Sequence, residues 1–193
     1  MSTTTQDSAG GVETTARERR WRRRSLWSLL LLVPLALAEQ GYDSVIRFLH
    51  DQDLLARDVA WGKTAQFGGS EWRLADLRAA FGMTGLPAGA LPVLADFTVR
   101  IGDADLQGRW KICGIALVDA AGRRWLPAAV SALKLPDDVQ GCNSAMFSAA
   151  KSGDTLKISE TFLVPKDAAA TIRPVVSLAG ERPYYLRFQR PAN

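Results

Sequence analysis

Six arginines packed into eight residues run directly into a stretch with no charge, and few water-soluble folds can absorb that arrangement. The cluster is RERRWRRR, with Arg17, Arg19, Arg20, Arg22, Arg23 and Arg24 broken only by Glu18 and Trp21. Residues 25–38, SLWSLLLLVPLALA, follow at once, with four consecutive leucines at 29–32. A buried helix of a soluble protein shows one apolar stripe and one polar face, and this run has no polar face. Arginines beside an apolar segment stay on the cytoplasmic side of a membrane. The part of the chain that follows is therefore expected outside the cytoplasm.

Two readings of the segment compete. Spanning a hydrocarbon core takes about 20 predominantly apolar residues, whereas a run of about 10–14 is closer to the core of a signal peptide. Residues 36–38, Ala-Leu-Ala, form a small-x-small cleavage site, and Arg23-Arg24 before Ser25-Leu26 is a weak twin-arginine match. Alternatively, the helix continues through Gly41 to Tyr42, Val45 and Ile46 and stays as an anchor over residues 25–46. Glu39 and Asp43 then lie in the outer headgroup region, where a charge costs less than at the bilayer centre. Tyr42 then mirrors Trp21 and Trp27 as an interfacial aromatic. Pro34 is tolerable in such a helix. The polar leader before the arginines is long for a signal peptide, which favours the anchor.

The remainder organises around this stretch. Residues 1–24 read as a disordered, basic cytoplasmic tail, since MSTTTQDSAGGVETTA lacks any apolar periodicity. That tail holds six arginines against Asp7, Glu13 and Glu18, so it carries +3 of the formal +4. The basicity thus points to an anionic membrane surface, not to nucleic acid. Residues 47–60 place Leu49, Leu54, Leu55 and Val59 at approximately helical spacing among Arg47, Asp51, Asp53, Arg57 and Asp58, which predicts a juxtamembrane helical spacer. Residues 61–193 are long enough to bury a core of their own.

That last segment reads as short strands divided by Gly, Pro and Asp. Residues 63–67 are one candidate strand. Trp72 and Leu74 mark a second, although Leu74, Leu77 and Phe81 also suit a helical turn. Residues 82–92, GMTGLPAGALP, read as loop. Val93, Ala95, Phe97, Val99 and Ile101 alternate with Asp96, Thr98 and Arg100, the period of a half-buried strand. Residues 110–119, WKICGIALVD, are expected to be its partner and to form a hairpin with Arg124 and Trp125. Leu156 to Val164, Ile172 to Leu178 and Tyr184 to Phe188 supply three more strands, and Pro174 predicts an edge position for the middle one. The fold class is mainly β: an immunoglobulin-like antiparallel β-sandwich preceded by one N-terminal transmembrane helix.

Cys113 and Cys142 are the only cysteines. In an oxidising compartment the simplest outcome is one disulfide, contributing roughly 3–4 kcal/mol on the chain-entropy view. The other reading is two buried thiols packed as small hydrophobes.

The endings FLVP (residues 162–165) and PYYLRFQR (residues 183–190), together with the strand pattern of residues 61–190, resemble the uncharacterised bacterial membrane-anchored or lipoprotein domains of telokin-like, immunoglobulin-like fold. In that group a late strand closes on a phenylalanine-x-valine-proline turn. The resemblance brings no catalytic motif. Its lipoproteins have a cysteine at the cleavage site, where this chain has Glu39 after Ala38, so lipid attachment is not implied.

Chemistry is sparse. His50 is the one histidine, and with Asp51 and Asp53 alone it lacks the spacing of a metal site and lies outside the main domain. Asp103 with Asp105, and Asp137 with Asp138, sit where turns favour Asp. Asp103 to Gly108 lacks the final glutamate and flanking helices of a calcium loop. Trp61, Trp72, Trp110 and Trp125 read as core residues, or else as an aromatic surface for a glycan or protein. No catalytic, cofactor or metal residues are assigned. The reading is a membrane-anchored, non-enzymatic binding or scaffold protein of the bacterial envelope, contacting membrane lipid through the anchor and arginines and an envelope protein or glycan through the sandwich. The same domain released by signal cleavage is one alternative, and an accessory whose anchor is itself the partner surface is another. A third is a hydrolase using two of Asp96, Asp103, Asp105, Asp119 and Glu160 across a cleft.

Overall fold

The computed structural model describes residues 16–81, 85–130, 133 and 135–190, and the chain divides into two units, Met1–Arg47 and Phe48–Asn193. The tail expected at residues 1–15 lies outside the described residues. Helix α1, Ala16–Asp51, runs for 36 residues without a break at Pro34 or Gly41. The arginines from 17 to 24 are thus helical, which corrects their expected disorder. Arg, Leu and Ala are strong helix formers, and Glu18 supports the first turns through a 3.4 Å ion pair with Arg22. Leu29, Leu30, Leu31 and Leu32 are all more than half exposed. The stretch Arg17–Phe48 is long and apolar enough to cross a membrane.

The helical spacer is corrected too. Three residues after α1 ends, the chain becomes strand β1, Leu55–Val59. Its side chains resembled a helical stripe, but β1 pairs in parallel with the last strand, Tyr184–Phe188. The remaining strands in chain order are β2 Thr64–Phe67, β3 Ser70–Ala79, β4 Ala90–Ile101, β5 Cys113–Val118, β6 Arg124–Trp125, β7 Val139–Gln140, β8 Thr155–Pro165, β9 Arg173–Leu178 and β10 Tyr184–Phe188. Two short helices intervene, α2 Leu106–Trp110 and α3 Cys142–Ala145. One sheet has the order β1-β10-β9-β5-β6 and the other β2-β3-β4-β8-β7.

Two five-stranded sheets enclosing one core make this a β-sandwich. Both sheets are mixed, because β1 with β10 and β7 with β8 run parallel while every other pairing of these strands is antiparallel. The strand read as most regular, β4, lies between β3 and β8. Its expected partner, β5, belongs to the opposite sheet, because α2 carries the chain across from one sheet to the other. The β5–β6 hairpin does form. Strand β9 is central instead of an edge. Pro174 is accommodated there because the β10 ladder on β9 covers only Val175 and Val176, so Pro174 lies beyond its end.

Aromatic residues fill the space between the sheets. Trp72 contacts Trp110 at 5.0 Å and Phe97 at 6.2 Å between ring centroids, and Phe97 reaches Phe188 in the other sheet at 5.3 Å. Trp72 and Trp110 are fully buried, whereas Trp61 is partly exposed. A buried indole needs an acceptor. The β2–β3 turn supplies both, with Trp72 Nε1 donating to Phe67 O at 3.1 Å and Trp110 Nε1 to Gly68 O at 2.9 Å. Gly68 has φ +59° and is packed so tightly that a Cβ would meet Leu178 and the Trp110 ring.

Gly68→Ala is therefore expected to lower unfolding stability by roughly 2–4 kcal/mol, combining a disfavoured φ with overpacking. Gly62 also has a positive φ, +73°, but open space around it, so Gly62→Ala should cost only about 1 kcal/mol. Equal losses for the two variants in chemical denaturation would contradict this account of the turn.

Candidate functional site

A single extra residue shapes one concave surface of the sandwich. Along β3, Ser70, Trp72 and Leu74 face the core, and strict alternation would send Asp76 and Arg78 after them. A bulge between Leu74 and Asp76 leaves Ala75 without a partner on β4. Alternation restarts one position later. Leu77 and Ala79 then pack on the core, and Asp76 and Arg78 turn outward. Asp76 now lies directly opposite Asp96 on β4, a like-charge pair that is unfavourable by itself. Arg78 relieves it, with Nη1 3.1 Å from Asp76 Oδ2 and 2.9 Å from Asp96 Oδ2. From β8, the buried Ser159 donates its hydroxyl to Asp96 Oδ1.

The segment leading into β7 covers one side of this group. Leu135, Pro136, Asp138 and Val139 face Arg78, Asp96, Thr98, Lys157 and Ser159 across a cavity of about 320 Å³. Lys157 Nζ bonds Asp138 Oδ2 at 2.6 Å, and that bond holds the Asp138 carboxyl below its ordinary value. Apolar wall on one side and fixed polar groups on the other is the composition of a recognition site.

Beyond Leu135 lies a second cavity of about 400 Å³, whose lining includes Pro127, Val130, Leu133, Gly141 and Glu160. Glu160 pairs across the sheet with Ala95, and Ser159 with Asp96. Ala95 belongs to the core, so Glu160 and Asp96 leave the sheet on opposite faces. Glu160 Oε1 accepts the Cys142 N–H at 2.8 Å. Burial pushes its carboxyl above the ordinary value of 4.5, and that hydrogen bond offsets only part of the effect. Cys142 is joined to Cys113 by a disulfide with Cα atoms 5.4 Å apart, inside the usual range of about 4.4–6.8 Å. The cystine ties α3 to β5, and α3 also contacts β8, so α3 bridges the two sheets.

The remaining sequence candidates have local tasks. Asp105 caps α2 by accepting from Gly108 N at 3.0 Å, and Asp103 pairs with Arg109 at 2.7 Å. Asp119 organises the β5–β6 turn, accepting from Ala121 N, Arg123 N and Arg123 Nε at 3.0, 2.8 and 2.7 Å. Desolvation acts to raise the Asp119 pKa, yet these bonds outweigh it and the net shift is downward. Asp103 and Asp105 share the start of α2, where Asp105 N donates to Asp103 Oδ1 at 3.1 Å, and each is committed to its own local partner. Asp119 belongs to a different turn, and the register sends Asp96 and Glu160 to opposite faces of their sheet. His50 lies in α1, and the reading of its side chain falls outside the described residues. No group of three or more His, Cys, Asp and Glu side chains gathers among the described residues. Asp76, Arg78 and Ser159 were missed in the sequence, because only the bulge and the β4–β8 register bring them together.

The sequence matches no protein-family model and no curated protein. Among solved structures, it is similar to an uncharacterised β-sandwich protein from Clostridium difficile 630, at 8% identity and TM-score 0.44 over 69% of this chain and 93% of that one. It is likewise similar to the YjhA protein from Bacillus subtilis, at 10% identity and TM-score 0.44 over 67% and 99%. A conserved hypothetical protein from Bacillus anthracis gives 11% identity and TM-score 0.42 over 67% and 94%.

Arg78→Ala should lower stability by about 0.5–1.5 kcal/mol through the uncovered carboxylate pair, and adding Asp76→Asn should recover most of it. A double variant no better than the single one would contradict the clamp. For Glu160 the sign is opposite to that of a salt-bridged acid. A raised folded-state pKa favours folding below the unfolded value and loses that contribution as pH rises through the folded value. Glu160→Gln keeps an acceptor for Cys142, so its stability relative to the native protein should rise with pH above 4.5. A pH-independent difference in thermal unfolding would remove the buried-acid assignment.

Proposed function

We propose that this chain is a single-pass membrane protein, with its arginine cluster cytoplasmic and its β-sandwich in the cell envelope outside. The observation that carries this reading is the uncharged run at residues 25–38, flanked by six arginines on one continuous helix that exposes its leucines. The cystine supports an oxidising compartment. On this reading the sandwich is an immunoglobulin-like, telokin-like domain that binds or scaffolds another envelope component without catalysing a reaction. The end of β8 at Pro165, the last residue of FLVP, is in keeping with that likeness, and the engagement of Asp103, Asp105 and Asp119 in local structural bonds favours binding over hydrolysis. The surface that would receive a protein or glycan is the one formed by Arg78, Lys157, Leu135 and Pro136. Its two cationic side chains are each more than half exposed, and they could donate to carboxylates or hydroxyls.

Fusion of alkaline phosphatase, which needs an oxidising compartment, after Asn193 should give active enzyme in intact cells, and a cytoplasmic reporter at the same point should be silent. The reverse pattern would sink the orientation, the compartment and the partner class together.

A further inference from the structure

We infer that the end of the sandwich at which the chain arrives from α1 rests on the lipid headgroup layer through Ile112 and Phe147. This inference depends on the anchor reading above. Strand β1 starts at Leu55, opposite Tyr184 at the start of β10. Strand β9 ends at that level with Leu178, opposite Cys113 at the start of β5. Ile112, just before β5, is 58% exposed. Asn143 of α3 accepts the Cys113 N–H through its side-chain oxygen at 3.2 Å. Phe147, 71% exposed, lies one turn beyond, with its N–H on Ser144 O at 3.0 Å. Ile112 thus directly precedes one half of the cystine, and Phe147 follows the short helix that carries the other. Leu54 and Leu55 are also partly exposed at this end of the domain. The exposed cations Lys111 and Lys151 accompany them, and neither forms an ion pair among the described residues.

The occupant follows from the tether. Gln52, Asp53 and Leu54 alone separate Asp51 from β1, so Leu55 lies at most roughly 14 Å along the chain from the helix end. Residues 47–51 add about 8 Å of helix beyond the proposed span. Phe and Ile at this end are thereby kept within reach of the bilayer interface, where burying their apolar surface favours contact. Tethering replaces a bimolecular search by a local one, so weak contacts suffice. Lysines beside them suit an anionic lipid surface. Phe81 is comparably exposed, but it follows the end of β3 at the opposite end of the sandwich, the end farther along the domain from the tether.

That symmetry supplies the test. An environment-sensitive fluorophore is placed on Phe147→Cys or Phe81→Cys of the full chain, reconstituted in vesicles of phosphatidylcholine and phosphatidylglycerol. Nitroxide-bearing lipid should extinguish emission at position 147 and leave position 81 unaffected. Equal quenching at both, or quenching at 81 alone, overturns the docking. Amide hydrogen exchange on the unsubstituted chain covers the case of a misfolded variant: residues 111–112 and 146–148 should exchange more slowly in vesicles than in detergent, and residues 120–123 of the β5–β6 turn at the same rate in both. Unchanged exchange at residues 111–112 and 146–148 also overturns it. Vesicle flotation is read on every sample. Failure to float removes the anchor itself, whereas floating without quenching removes only the docking.

Discussion

A helix with leucines projecting at every angle cannot hide them by lying on a sandwich, because one face of a helix is all that a sheet can cover. Leu29 to Leu32 are each more than half exposed, and exposed apolar area of this kind is unfavourable at about 25 cal/mol per Å². The proposed membrane relieves that cost. On that proposal the six arginines set the cytoplasmic end, and the rest follows from which side the chain emerges on. The cystine, the polar outer face of β3, β4 and β8, and the placement of Ile112 and Phe147 all acquire a role once the sandwich is outside.

The segment that opens the sandwich is held firmly within it. Leu54 N and Leu55 N both donate to Pro183 O, at 2.9 and 3.0 Å. Arg187 grips Asp58 with two bonds of 2.6 and 2.8 Å, and Arg57 stacks over the Tyr184 ring at 4.1 Å. Asp53 holds Arg182 and Arg124 at 3.4 and 3.6 Å. The first strand of the domain is thus held by the last. Since β1 has no partner until residues 184–188 arrive, the sheet that receives the anchor closes only when the whole chain is present, a contact of very long range.

Much of this was legible in the sequence, and what was not shares a cause. The alternation of β4 is local and survives intact in the structure. The pairing of Cys113 with Cys142 needed only a count of two. By contrast, the Ala75 bulge shifts the inward positions from Leu74 to Leu77, a step of three that imitates a helical spacing, which is why that stretch read ambiguously. Leu54, Leu55 and Val59 looked like a helical stripe because their parallel partner lies at the far end of the chain. The assignment of β5 to β4 followed the habit of consecutive strands pairing, and α2 breaks it. The Arg78 clamp depends on a bulge plus two strand registers, none of which leaves a mark on composition or spacing. Site residues were therefore harder to read than strands.

The most direct test of the anchored, oxidised state is the intact mass of the native chain taken from alkali-washed membranes. A species that retains residues 17–38, lighter than its reduced form by the two hydrogens lost to the cystine, is expected in the membrane pellet. A product beginning at Glu39, a full-length chain with both thiols free, or recovery in the soluble fraction would contradict it.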